Sequence, residues 1–387
     1  MPETIRTYRT REELNTLSSE WAKIATHPFS HPSLLLRLCD ADEQVIHPIA
    51  AVVHGDSDEI LAMAVGRVER SRALKSLAYL PIRGPIVHQL VIAHGGFIGS
   101  HRAQKARVLL EALEQELSSG TADILELPVS DVDDPVSRAL NDSPTTRYRT
   151  ALHSNGVRWS LPIPRDFDTY LKSLGRSTRS TVRNNINRFR REFEGRFEFT
   201  YVTPGNSSSE AIEQYFQDSL LVEDQSYHRG LGWGVSDTPR ERSVLEASIA
   251  EGWLASAMLK VDGAPVAFAG GLHLGDVVYG TNTAFIPNLT NLPIGTILFL
   301  ETIQLLCTRN DIQEWDFGPG DAEYKRRLGC IRSKTQQKTL FGPGVRNRLL
   351  KGQLSARHHV NNCMKHVLAK TGLSNRLRKA LRNRARG

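Results

Sequence analysis

After Glu323 the chain has no acidic residue. Residues 324–387 carry 18 lysines and arginines, whereas the preceding 323 residues hold 31 basic and 42 acidic side chains. The overall net charge of +7 therefore conceals an acidic body and a strongly basic tail. Cysteine is scarce. Cys39, Cys307, Cys330 and Cys363 lie far apart, with neither a zinc spacing nor a disulfide framework, so reduced thiols are expected. Cys307 ends the apolar run "ILFLETIQLLC" and reads as core. No stretch of about 18 uncharged apolar residues is present, so no transmembrane span is expected. The opening "MPETIRTYRTREELNTLSSEWAK" contains Glu3, Glu12, Glu13 and Glu20 and lacks the apolar segment of a secretion signal. A cytoplasmic protein is expected, with peripheral membrane attachment left open. Histidines are scattered, and the adjacent His358 and His359 would not share a helix face, so no metal site is expected.

What is present is enough apolar sequence, 40% over 387 residues, for more than one core. In the first half, "QVIHPIAAVVHG" and "EILAMAVGRVERS" read as two strands turned at Gly55–Asp58. "SHRAQKARVLLEALEQELSSG" reads as an amphipathic helix with Val108, Leu109, Leu113 and Leu117 on its apolar side, and "ADILELPV" as a buried strand. Residues 158–170 read as a link. A basic helix with Arg176, Arg179, Arg183, Arg188, Arg190 and Arg191 follows, then two more helices. Three strands come next, the first two joined by an Asp262–Gly263 hairpin signal. A loop, an apolar helix opening near Thr296, a strand "IQEWDFG", a short helix and a closing strand "KTQQKTLFG" complete the pattern. The expected division is 1–157, 158–341 and a basic helical extension over 342–387. That extension places Leu373, Leu377 and Leu381 among arginines. It could meet anionic lipid, a glycan, RNA or an acidic partner, or neutralise the acidic body in cis.

The order of strands, loop, buried helix, strand and short helix resembles an N-acetyltransferase core of the GNAT superfamily. The string "GTNTAF…LPIGTILFLETIQ…EWDFGPGDAEYKRRLG" resembles the GNAT-like domain of bacterial CelD/BcsL-type proteins, relatives of the Fem peptidyltransferases. The residues that carry it are Asp316, Phe317, Gly318, Gly320, Tyr324 and Lys325. It covers about residues 165–340, and the first half resembles a divergent copy. The implied fold class is α/β, with tandem GNAT-like domains, mixed β-sheets and a basic C-terminal helical extension. The implied activity is N- or O-acyl transfer, with acetyl-CoA or another acyl-CoA as donor, in polysaccharide or cell-envelope metabolism. The GNAT pyrophosphate loop is not reproduced. In "NLTNLPIGTI" only Gly295 matches it, and no arginine is present. An aminoacyl-tRNA donor is therefore an alternative, as is a non-catalytic protein that binds an anionic glycan or a synthase complex.

The candidate residues each carry two readings. Asn291, Gly295 and Thr296 would hold the donor pyrophosphate at a helix start, or Thr296 would simply cap that helix. Asp316 would orient or deprotonate an acceptor amine, or would accept N–H bonds in the turn at Gly318–Gly320. Asp321 reads as the cap of the next helix. Tyr324 corresponds to the general acid of many GNAT enzymes, and Lys325 would contact a donor phosphate or an oxyanion. Arg179 and Arg183, four residues apart, share a helix face that would grip a polyanion, or would be solvated. Glu223 and His228 are second candidates for a base, and Trp233 for covering a saccharide acceptor, in the irregular stretch "EDQSYHRGLGWG".

Overall fold

A computed structural model describes residues 3–72, 76–77, 80–81, 84–99, 103–142, 150–226, 234–287 and 291–370. In chain order the elements begin with β1 (Thr4–Tyr8), α1 (Arg11–Ile24), α2 (Pro32–Ala41), β2 (Val45–His54) and β3 (Ile60–Arg72). The short strands β4 (Ser76–Leu77) and β5 (Leu80–Pro81) lead to β6 (Ile86–Ile98), α3 (Ala103–Ser118) and β7 (Ile124–Glu126). Then come β8 (Ser130–Asp131), α4 (Pro135–Asp142), β9 (Thr150–Pro162), α5 (Phe167–Ser173), α6 (Arg176–Glu192) and β10 (Phe197–Val202). α7 (Ser209–Gln225) and α8 (Pro239–Ala250) precede the meander β11 (Ser256–Val261), β12 (Ala264–Leu274) and β13 (Val277–Phe285). The chain continues through α9 (Ile294–Leu306), β14 (Glu314–Pro319), α10 (Glu323–Arg327), β15 (Ile331–Phe341) and α11 (Val345–Lys370).

Two compact units result, residues up to 157 together with the segment from Lys334, and Arg158–Ser333. In the first unit the strand order is β1-β2-β3-β6-β7-β15. All neighbours are antiparallel except the parallel pair β6·β7. β2 is apolar on both faces because helices cover both. Ile49, Ala51 and Val53 pack with Leu109, Leu113 and Leu117 of α3. Ala50 and Val52 pack with Leu14 and Trp21 of α1 and Leu35 of α2. The period-2 geometry of a strand sends alternate residues to these two cores.

In the second unit the order is β10-β11-β12-β13-β14-β9. Again one pair, β13·β14, is parallel and the others are antiparallel. Ile212, Tyr215 and Phe216 of α7 pack with Met258, Phe268 and Ala284 of this sheet. α6 turns Val182, Ile186 and Phe189 inward and leaves its arginines other than Arg179 on the outside. α9 is apolar nearly all round, with Ile297, Leu298, Leu300, Ile303 and Leu306 buried, as befits a core helix.

The link expected over 158–170 is instead the end of β9 and α5. Val157, Trp159 and Leu161 are buried and alternate with less buried neighbours, a strand signature that the prolines Pro162 and Pro164 mask. The expected boundary at 341 and the separate extension also differ from what is found. β15 pairs with β7 through Thr339, Leu340 and Phe341, and Leu350 and Leu354 of α11 join Val87, Ile124 and Phe341 in one apolar cluster. The start of α11 thus belongs to the first unit's core. Tail residues 371–387 lie outside the described residues.

The β3·β6 ladder depends on a missing side chain. A Cβ on Gly66 would fall 2.2 Å from the carbonyl oxygen of Val91, at a register shift between the strands. Backbone cannot retreat as a flexible side chain can, so Gly66→Ala should lower stability by about 2 kcal/mol in urea unfolding.

Candidate functional site

β13 and β14 are joined by α9 in a parallel crossover. They pair only over Val277↔Glu314, Val278↔Trp315 and Tyr279↔Asp316. β13 then runs on to Phe285 against β12, while β14 turns away through Pro319. From Gly280 to Ala284 the β14-facing edge of β13 has no ladder partner among the described residues. An opening therefore forms at the carboxyl ends of two parallel strands, the usual ligand-binding edge of an open α/β sheet.

β14 turns away at a bulge. Its register against β9 advances from Asp316↔Ser160 to Pro319↔Arg158, one residue more on β14 than on β9. Gly318 supplies the required backbone, with φ of 68° and open space where a Cβ would stand. The buried Asp316 carboxylate accepts hydrogen bonds from Arg158 Nε at 3.0 and 3.1 Å and Nη2 at 2.5 Å, and from the Gly318 N–H at 2.8 Å. Asp316 is thus held by an ion pair and also braces the turn. Arg158 was not singled out from the sequence. The available signal was a lone arginine between the alternating apolar residues Val157 and Trp159.

The turn closes around Lys325. Its Nζ lies 2.9 Å from the carbonyl oxygen of Phe317, 3.3 Å from those of Gly318 and Pro319, and 3.1 Å from that of Gly320. An ammonium offers three protons, so these carbonyls share them. Burial pulls the Lys325 pKa below the ordinary lysine value, and Asp316 and Asp321 act against that pull. Tyr324, on the same short helix, stacks flat on Phe299, with ring centres 5.0 Å apart and planes 4° apart. Phe299 also meets Trp315 and Phe317 edge-on, so the phenol rests on an aromatic platform beside the turn. Asp321 does not cap α10 as expected. The N-cap is Ala322, without a side-chain bond, and Asp321 pairs with Arg326.

At the start of α9 the N-cap is Pro293, not Thr296, and no side chain caps the first turn. Leading N–H groups without a side-chain acceptor suit an anion. Gly295 is buried here, and a Cβ would fall 2.8 Å from Cδ1 of Phe285, so close ring packing already requires a glycine. Asn291 is exposed just before this turn.

The other candidates are placed as follows. Arg183 lies 3.8 Å from Asp168, with both side chains largely exposed, and Arg179 is half-buried on the same helix. Glu223 is buried near the end of α7, where its Oε1 accepts from Ser226 Oγ at 3.2 Å. Gly234 makes room for it, since a Cβ there would fall 2.1 Å from Oε1. His228 and Trp233 lie outside the described residues. Asp316, Tyr324 and Lys325 are thus gathered about one turn, with Arg158 and Phe299 added. The buried Cys330 thiol is pushed up to about 12 and Cys307 up to about 11 by burial, so neither is a poised nucleophile at neutral pH.

Residues 176–326 match the family model described as an acetyltransferase (GNAT) domain. This GNAT match spans β13, α9, β14 and most of α10, and therefore the whole opening. No curated protein matches the chain. Among solved structures, FemX is similar over 86% of this chain and 96% of its own, with 11% identity and a TM-score of 0.56. The C-terminal domain of a proposed lysylphosphatidylglycerol synthetase from Agrobacterium fabrum is similar over 87% and 94%, at 12% identity and 0.52. L-PGS from Bacillus licheniformis is similar over 88% and 96%, at 13% identity and 0.50. At such identities the likeness is one of fold, and the fold is GNAT-like: mixed β-sheet with flanking helices.

Two substitutions test this local construction. Alanine favours a helix by about 1 kcal/mol over glycine, yet Gly295→Ala should lower stability because the Phe285 clash exceeds that gain. A variant at least as stable as the parent would mean that Gly295 serves ligand approach alone. Lys325→Met should lose about 3 kcal/mol by stripping the turn's carbonyls of their donor. Arg327→Met, at an exposed position of the same helix, should stay within about 0.5 kcal/mol in the same melts.

Proposed function

We propose that the second unit transfers an acyl group from an acyl-CoA to an amine or hydroxyl of a saccharide or other cell-envelope molecule. The observation that carries this reading is the parting of β13 and β14 beside the start of α9, within the stretch that matches the GNAT domain. The open edge of β13 suits an extended, amide-bearing donor arm, because main-chain groups can pair with it as with another strand. The first turn of α9, with Asn291, Gly295 and Thr296, is the matching place for a pyrophosphate.

In this proposal the acceptor's nitrogen or oxygen attacks the thioester carbonyl carbon. The new C–N or C–O bond forms, the C–S bond breaks, and no covalent enzyme intermediate is needed. Tyr324 supplies the proton that the departing thiolate takes up. Glu223 and His228 are the proposed bases for the acceptor's proton, and Arg179, Arg183 and Trp233 its proposed binding side. Asp316 is ion-paired, so its proposed part is to orient Arg158 and the turn rather than to deprotonate. Lys325 fixes the turn's carbonyls and so acts on the donor through the backbone. Much of the acceleration would come from proximity.

The two units are proposed as tandem copies of one fold. Their strand orders and pairing senses agree, and Glu126 of β7 takes the place that Asp316 has in β14. There Glu126 accepts from Gln337 of β15 at 2.8 Å, whereas Asp316 accepts from Arg158 of β9. The second unit, in which Arg158 and Asp316 form an ion pair beside the stretch that matches the GNAT domain, is the one to which we assign the chemistry. The narrower likeness to CelD/BcsL-type proteins and a cytoplasmic, membrane-peripheral location form part of this reading.

A second reading replaces the donor with aminoacyl-tRNA. It is supported by the fold likeness to FemX and by the basic outer face of α6. Calorimetric titration of the full chain with acetyl-CoA, longer acyl-CoAs and aminoacyl-tRNA separates the two. Saturable binding of a CoA thioester is expected, and its absence would overturn the preferred donor. Once a substrate pair is in hand, Tyr324→Phe should lower kcat about a hundredfold with little change in KM.

A further inference from the structure

α11 has two apolar sides, and the fold uses one. Leu350 and Leu354 are buried in the first unit's core. Val345, Leu349 and Val360 are respectively 66%, 64% and 48% exposed. Together with the exposed Gly352 and Ala356 they recur at steps of four, three, four and four residues, which aligns them along one face of the helix. Isolated exposed apolar residues are ordinary, but a line of them on a helix of single-signed charge is not. The helix has no acidic residue, and Arg346, Arg348 and Lys351 fall within its first two turns.

We propose that this outer face of α11 is a docking surface for the anionic face of a lipid bilayer. The charge complements anionic headgroups, and the one-sided excess continues to the end of the sequence. A nucleic acid or another soluble polyanion would be held by the basic residues alone and would gain nothing from Val345, Leu349 and Val360. A bilayer uses both features, because a helix lying in its surface buries an apolar stripe below the headgroups while its basic residues contact them. α11 is already folded and anchored by Leu350 and Leu354, so docking need not order it first. The inference does not depend on the acyl-transfer reading.

The test is co-sedimentation of the full chain with large vesicles. One set is phosphatidylcholine alone and the other contains about a third phosphatidylglycerol. Binding to the anionic set, little to the neutral set, and weakening with salt are expected. The variant V345S/L349S/V360S, altered only at exposed positions, should bind anionic vesicles at least about tenfold more weakly. A fluorophore attached to Leu349→Cys, checked by circular dichroism for retained fold, should shift to the blue on the anionic vesicles. No binding to the anionic vesicles overturns the proposal. So does undiminished binding by the triple variant, or a label that stays in water. If the triple variant binds vesicles and single-stranded RNA as well as the parent does, the face is a general polyanion site instead.

Discussion

A carboxylate can be buried only if charge and hydrogen bonds replace the water it loses. Asp316 meets that condition with Arg158 on one side and the Gly318 N–H on the other. Both bonds require β14 to bulge at Phe317–Gly318, and the bulge directs β14 away from β13. Lys325 then fills the inside of the resulting turn, where its ammonium gathers carbonyls that would otherwise point at one another. The opening between β13 and β14 is thus held by two buried charges, Asp316 paired with Arg158 and the Gly318 N–H, and Lys325 facing backbone carbonyls. A chain that lost either would be expected to let the turn relax toward the sheet.

The first unit offers an internal comparison. Its strand order and its single parallel pair repeat those of the second, and it also places a carboxylate, Glu126, at the third position of that pair. The amide of Gln337, two residues before Thr339, donates to it, just as Arg158 lies two residues before Ser160, and the amide of Gln89 on β6 donates as well. An amide and a guanidinium both donate, but only the second brings a positive charge. Each unit also closes on a strand distant in sequence from the strand it joins, β15 beside β7 in the first and β9 beside β14 in the second.

Much of the element order was legible in the sequence where apolar runs or periodicity were strong. The two strands at 45–72, the meander from Ser256 to Phe285 and α9 stand out as apolar runs bounded by turn residues, and α3 by its period of 3.6. β9 was not read as a strand, because prolines and a histidine interrupt its alternation. Of the candidate site, the string from Asp316 to Lys325 was visible as a cluster. The roles within it were not, since Arg158 lies more than 150 residues away in sequence and only the antiparallel β9·β14 pairing brings it alongside.

The sequence by itself determined the local grammar: which segments are apolar on one side, where glycine permits a turn, and that all charge after Glu323 has one sign. The tertiary structure alone decided what each charge faces. Lys325 reads in sequence as a cation for a ligand, but packing places its Nζ among backbone carbonyls, because burying an ammonium demands acceptors and the turn supplies them. Gly295 reads as an opening for a phosphate, yet the ring of Phe285 occupies the space a side chain would need. In both cases the residue type follows from what a neighbour distant in sequence leaves room for, and such neighbours are set by strand register rather than by local pattern.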